Sequence, residues 1–189
     1  MPQSPRTGIL VASPQMVDVF FSKTVILLCD YSEEGAMGIV INRLTGIESN
    51  QVLDQMGVPT RGGLAGPVHW GGPVQPGAVF VTFDRAGLEA EDDGEDRIFE
   101  ISPKLAVSPS KGIIEMASAA IDISGAFLSL GYAGWGPGQL DEEIESGSWI
   151  YMELDESLVF GVPPHERWDR HIASMGVPAE MLWMQPINE

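Results

Sequence analysis

The sequence predicts an α+β fold, and three observations carry that prediction. Short runs of β-branched and aliphatic residues recur from residue 7 onward, each closed by Gly, Pro or Ser. Helical patterns are few and short. The strands follow one another as hairpins instead of alternating with helices, which argues against a doubly wound parallel sheet. With 189 residues and 44% hydrophobic side chains, the chain has enough apolar mass for one domain over 1–189.

Thr7–Ala12 is the first strand, carrying Ile9, Leu10 and Val11 and closed by Ser13-Pro14. Met16–Phe21 reads as a short helical turn or an irregular connection. Thr24–Cys29 is apolar throughout and too short for a helix, so it predicts a strand buried on both faces. After the polar turn Tyr31–Gly35, residues Ala36–Asn42 repeat that composition, and the two runs form a hairpin. Asn50–Met56 spaces Val52, Leu53 and Met56 as a helix, with Asn50 as its cap and Gly57 as its end. Residues 57–77 are dense in Gly and Pro and leave room only for a short strand at Val68–Trp70.

Ala78–Phe83 predicts a strand, Asp84–Arg97 an acidic loop, and Arg97–Ile101 with Leu105–Val107 two further strand pieces. Ser108-Pro109-Ser110 opens a helix with Ile113, Met116, Ala117 and Ala120 on one face. Ala126–Tyr132 is a strand, Gly134–Gly138 a connection, Gln139–Glu145 a short acidic helix and Trp149–Leu154 a strand. Pro163–Met175 is a helix whose proline sits where a missing donor is harmless, and a last turn is expected over Ala179–Trp183.

Charge weighs against one class of function. The chain carries 27 acids against 10 bases, and 17 acids against 4 bases lie within 84–156. Proteins that hold DNA neutralise phosphates with clustered Lys and Arg, so direct DNA binding is disfavoured. No apolar run is long enough for a membrane helix, the first residues lack a signal-peptide pattern, and Cys29 stands alone, which places the chain in the cytoplasm.

No catalytic constellation emerges. His165 and His171 are six apart and face different sides of a helix, and with His69 and Cys29 elsewhere they specify no metal site. Ser108-Pro109-Ser110-Lys111 matches a bare Ser-x-x-Lys pattern, but a helix cap explains it. Gly134-x-Gly136-x-Gly138 departs from the dinucleotide fingerprint. Cys29, in an apolar run beside Asp30, reads as an inert core thiol. Asp141 and Glu145 read as a solvated helix face. No cofactor is implied.

The unusual feature is the concentration of glycines and large rings in Gly131-Tyr132-Ala133-Gly134-Trp135-Gly136-Pro137-Gly138-Gln139-Leu140, with His69-Trp70-Gly71-Gly72-Pro73-Val74 as a smaller companion. Two readings stand: the rings plug the core where the chain turns, or the turns line a ligand pocket.

At these residues the sequence resembles the YqgE/AlgH family. The resemblance runs through Leu10–Met16, Gly35–Arg43, Gly71–Val74, Leu130–Leu140, Trp149, Val159-Phe160 and Pro164–Trp168, in family order. It implies a single α+β domain, a bifurcated mixed β-sheet with a small β-barrel surrounded by helices, in a bacterial cytoplasmic protein. The family has no established biochemical activity, and one member bears the label of transcriptional regulator. The sequence departs from the pattern after Phe80, where Thr82-Phe83-Asp84 replaces the usual Leu-His pair. The candidate binding surface is Asn42, Trp70, Gly71, Gly72, Pro73, Gly131, Tyr132, Trp135, Gly138 and Gln139. The expected function is a non-enzymatic regulatory or binding protein acting through a protein partner. The alternative is a small-molecule-binding protein or enzyme using a cleft between Gly71–Val74 and Gly131–Leu140.

Overall fold

The computed structural model describes residues 7–176 except 93, 95, 122 and 124. The turn expected over Ala179–Trp183 lies outside the described residues. Two compact units emerge: one holds the chain up to Arg43 and from Ala133 onward, the other Leu44–Tyr132.

The first unit is built on an antiparallel sheet. Strand β1 (Gly8–Ala12) lies between β2 (Val25–Ser32) and β10 (Trp149–Met152), with Leu10 opposite both Ile26 and Tyr151. All five residues of β1 are buried, which explains the unbroken apolar run. Strand β3 (Gly35–Val40) pairs with β2 down to Ser32 opposite Gly35, so Glu33 and Glu34 alone form a turn tighter than the one expected. A register shift between Leu28 and Asp30 accommodates Cys29, whose thiol is buried. Burial, then the Asp30 carboxylate, push its pKa up, in keeping with an inert core cysteine. The last residues of β9 (Ala126–Trp135) complete the sheet, with Ala36 opposite Trp135 and Gly38 opposite Ala133.

Helix α5 (Pro164–Ser174) is tied to this sheet by its side chains. Trp168 Nε1 donates to the Ala12 carbonyl at 2.9 Å. Arg167 donates from Nε to the Val162 carbonyl at 2.9 Å and from Nη1 to the Ile41 carbonyl. Its guanidinium is buried, and desolvation lowers its pKa to about 10. Charge-assisted hydrogen bonds of this kind are worth about 1.5–3 kcal/mol each. One turn on, His171 Nδ1 lies 2.7 Å from the Arg167 carbonyl. A carbonyl only accepts, so Nδ1 carries the proton, and the buried Nε2 has no partner among the described residues. Two shorter helices, α3 (Gln139–Glu145) and α4 (Ser157–Phe160), complete the unit; the sequence pattern marks the first and misses the second.

The second unit carries the strand order β4-β5-β9-β6-β8-β7: β4 (Leu44–Glu48), β5 (Pro67–Trp70), β6 (Val74–Asp84), β7 (Phe99–Glu100) and β8 (Leu105–Ser108). The β5–β9 pair is parallel and the others antiparallel, so the sheet is mixed. On one side of it lies a core formed by Val68, Val81, Phe83, Ala106 and Leu128 with Val52 and Leu53 of α1 (Ser49–Met56) and Ile113, Ile114 and Ala117 of α2 (Lys111–Ala119). Glu48, not Asn50, is the cap residue of α1, and its amide donates to Gln51 Oε1 at 3.0 Å. Ser110 precedes α2 but makes no side-chain cap bond. Ser108 Oγ instead donates to the Arg97 carbonyl at 2.6 Å and accepts from the Ser110 amide, while Lys111 pairs with Glu115.

The bifurcated sheet implied by the resemblance is present. Strand β9 holds β5 and β6 on its two edges at Ser129 and Leu130, and β3 along its last three residues. The small β-barrel is not. Closure requires the end strands to pair with each other. Among the described residues β4 pairs only with β5 and β7 only with β8; β7 spans just two residues, too few for a closing ladder.

One pH dependence follows from α5. Burial lowers the His171 pKa most, the Arg167 charge adds to it, and the Arg167 carbonyl and Asp155 oppose it. The folded value therefore lies below the ordinary 6.5, and the unfolded chain binds more protons just below that pH. Stability is complete above pH 6.5 and falls as pH drops toward the folded pKa, by at most about 1.4 kcal/mol per pH unit for one proton. Urea unfolding of the wild type and His171→Asn from pH 7.5 to 5 checks this, because carboxylate effects common to both cancel in the difference. The expected outcome is a shallower decline in the variant.

Candidate functional site

The candidate residues fall into three local assemblies. The first belongs to the second unit. After β5 the chain runs through Gly71 and Gly72, and the Gly71 amide donates to the Leu130 carbonyl at 2.7 Å. A Cβ on Gly71 would overlap the carbonyl oxygen of Gly131, and a Cβ on Gly131 that of Gly72. Gly131 also has φ +74°, a conformation that side-chain-bearing residues resist. Backbone meets backbone here, and both glycines are buried. Directly beyond, Val74 pairs with Tyr132, whose half-buried ring meets Phe80 edge-on at 6.0 Å. Trp70 is half-buried and Pro73 exposed.

The second assembly, in the first unit, gathers Trp135, Gly138 and Gln139. Gly138 caps α3 with φ +73° and sets its direction. Gln139 Oε1 accepts from the Gly136 amide at 3.0 Å, and its Nε2 donates to Glu143 Oε1 at 2.9 Å. Glu143 Oε2 accepts two indole N–H groups, from Trp135 and Trp149, each at 2.9 Å. The two rings stand edge-to-face with centroids 5.9 Å apart, and Phe21 meets Trp149 at 5.6 Å. One carboxylate thus satisfies three side-chain donors around two buried tryptophans. Sequence reasoning missed Glu143, although its position four residues after Gln139 on a predicted helix was the available signal. It read Asp141 and Glu145 as a solvated helix face; Asp141 accepts from the Tyr31 hydroxyl, and Glu145 is exposed.

The third assembly surrounds Asn42. Its Oδ1 accepts from the Val25 amide and its Nδ2 donates to the Lys23 carbonyl, both at 2.8 Å. Arg43 donates to the carbonyls of Phe20 and Ser22, and Asp18 Oδ1 accepts from the amides of Phe20 and Phe21. Burial lowers the Arg43 pKa, with Asp18 opposing. The Ser22 amide closes one helical turn on the Asp18 carbonyl at 2.9 Å, so the segment 14–23 combines a short turn with irregular backbone and contains both readings its sequence allowed. On it, Val17 and Val19 are 91% and 86% exposed, and Phe20 is 53% exposed.

Structure therefore brings Gly71, Gly72, Gly131 and Tyr132 together, and Trp135 with Gln139, while Asn42 serves a different segment. Of the histidines, His69 is buried with its ring 4.1 Å from Phe127, His171 is buried in α5, and His165 is exposed beside Glu166. Among the described residues no three His, Cys, Asp or Glu side chains gather as a metal site. None of the described helices is long and apolar enough to cross a membrane.

Comparison with known proteins adds context. A family model described as AlgH-like matches residues 9–180. A UPF0301 protein of Paracoccus denitrificans is 41% identical over 175 residues, covering 92% of this chain and 90% of its own. One from Chromobacterium violaceum is 36% identical over 178 residues, covering 92% and 91%. The solution structure of the AlgH protein from Pseudomonas aeruginosa superimposes with a TM-score of 0.74 at 32% identity over both full chains. A crystal structure from Corynebacterium diphtheriae gives 0.74 at 22% identity over 96% and 93%, a likeness of fold.

Two substitutions check the assemblies. Glu143→Ala leaves two indole donors without acceptors and is expected to lose about 2–4 kcal/mol in urea unfolding, with a red-shifted tryptophan emission. Gly131→Ala meets both an occupied volume and a strained φ, and is expected to cost at least about 2 kcal/mol. Gly57→Ala is the control, since its φ is also positive but its surroundings are open.

Proposed function

Because this chain belongs to the AlgH-like family, we propose that it is a non-enzymatic binding protein that exerts a regulatory effect through a protein partner. One observation carries the reading: the segment 14–23 holds Val17, Val19 and Phe20 in water on a backbone fixed by Asn42, Arg43 and Asp18. Exposed aliphatic side chains gain by being covered. A segment already ordered by hydrogen bonds loses little conformational entropy when that happens, which is the advantage of a preorganised binding surface. Asn42 is the member of the sequence-derived candidate surface that belongs to it.

The charge supports a protein over a nucleic acid as the contact. With a net charge of −17, the chain repels phosphates, so any effect on transcription runs through another protein. This reading takes residues 1–189 as one functional domain, acting in the cytoplasm of a bacterium.

Affinity capture from the native cell tests it, comparing the wild type with Val17→Ser/Val19→Ser. Both positions are exposed, so the variant is expected to melt at the wild-type temperature while losing a specifically captured protein. Retention of the same captured proteins by the variant overturns the reading. So does salt-sensitive, sequence-selective DNA binding by the purified protein.

A further inference from the structure

Two buried hydroxyls of the second unit, Thr82 Oγ1 on β6 and Ser129 Oγ on β9, make no hydrogen bond with any described residue. Both side chains are fully buried. Register puts them on one face of the sheet. Ser129 stands opposite Phe80 and Thr82 opposite Phe127, so the two hydroxyl residues are diagonal neighbours across the β6–β9 pair. His69 stands opposite Ser129 on β5, and its ring lies 4.1 Å from that of Phe127. Val81 and Leu128, the residues between, turn to the other face and join the apolar core there. The hydroxyls thus share their face with the rings of Phe80, Phe127 and His69. A hydroxyl buried in such surroundings keeps its full desolvation cost until something bonds to it.

We propose that Thr82 and Ser129 bind one internal water molecule that bridges β6 and β9. Diagonal neighbours across an antiparallel pair stand about 7 Å apart at Cβ. With each oxygen one bond beyond its Cβ, the remaining gap exceeds a direct hydroxyl–hydroxyl bond of about 2.8 Å. It matches the roughly 5 Å that one water spans between two partners. Each hydroxyl both donates and accepts, as water does, so one molecule satisfies the pair whichever way the protons point. Two neutral hydroxyls are too few for a hard cation, which takes about six or more oxygens. The position also has a structural consequence. Ser129 carries β5 on one edge of β9 and β6 on the other, two residues before Gly131. Water held there adds a side-chain link between β6 and β9 beside the fork, where the backbone of β9 is about to change partners. The site involves no residue of the segment 14–23, so it stands or falls independently of the docking reading.

Oxygen-17 relaxation dispersion of water on the full chain tests it, because the method counts internal waters held for longer than nanoseconds. Thr82→Val/Ser129→Ala removes both hydroxyls with little change of shape and is expected to lose one such water. Ser118→Ala is the control: that hydroxyl already donates to the Pro59 carbonyl at 2.8 Å, so the wild-type count is expected. Ser129→Ala alone is expected to lose the same water, which keeps the test decisive if the double variant does not fold. In urea, Thr82→Val is expected to lower the unfolding midpoint less in the Ser129→Ala background than in the wild type, since the shared water is already gone. An unchanged count in the folded variants, an equal loss in Ser118→Ala, or fully additive midpoint shifts overturns the proposal.

Discussion

Everything in this sheet depends on how one strand spends its hydrogen bonds. A strand has two edges, and β9 serves three partners: β5 and β6 at Ser129–Leu130, then β3 at Ala133–Trp135. The change of partner follows Gly131, where the backbone takes a positive φ and the space a Cβ would fill is occupied by the Gly72 carbonyl. Gly71 makes the reciprocal approach, with its amide on Leu130. Glycine at these positions gives up side-chain packing and pays in unfolded-chain entropy. The return is a fork in the sheet.

The rest of the first unit resolves a related problem, that of satisfying buried polar groups. Arg167 is buried and bonds to two carbonyls, and two tryptophans share the Glu143 carboxylate. In each case one ionic group satisfies several neutral partners. Such arrangements stabilise only while every member is present, because a half-satisfied buried group retains its desolvation cost. His171 is the exception. Its Nε2 is buried and unbonded among the described residues, which favours the neutral ring.

Acidity looks different once its carboxylates are placed. Of the acids concentrated in 84–156, Asp84 and Asp92 hold turns, Asp96 meets the start of α2, Glu143 organises two indoles, and Asp141 accepts from Tyr31. Part of what composition presents as a solvated surface is structural. These carboxylates keep their charge while their positions are fixed, whereas Glu89 and Glu91 stand exposed on an open groove.

The sequence by itself determined the strands β1, β2 and β3, the helix α3 to its bounds, and the stop that Gly57 imposes on α1, because unbroken apolar runs and turn chemistry are local properties. It also identified the glycine-aromatic segments as unusual while leaving plug and pocket both open. Tertiary structure decided that Trp135 is one half of a clamp whose acceptor is Glu143, that Asn42 holds a segment some twenty residues upstream, and that the forked sheet stays open. It also carried β9 three residues past its expected end and supplied β4, which has no clean alternation to announce it. The reason is common to all of these. Which donor meets which acceptor across a sheet is set by register and by the course of the chain, and neither is written in the spacing of residues along a single segment.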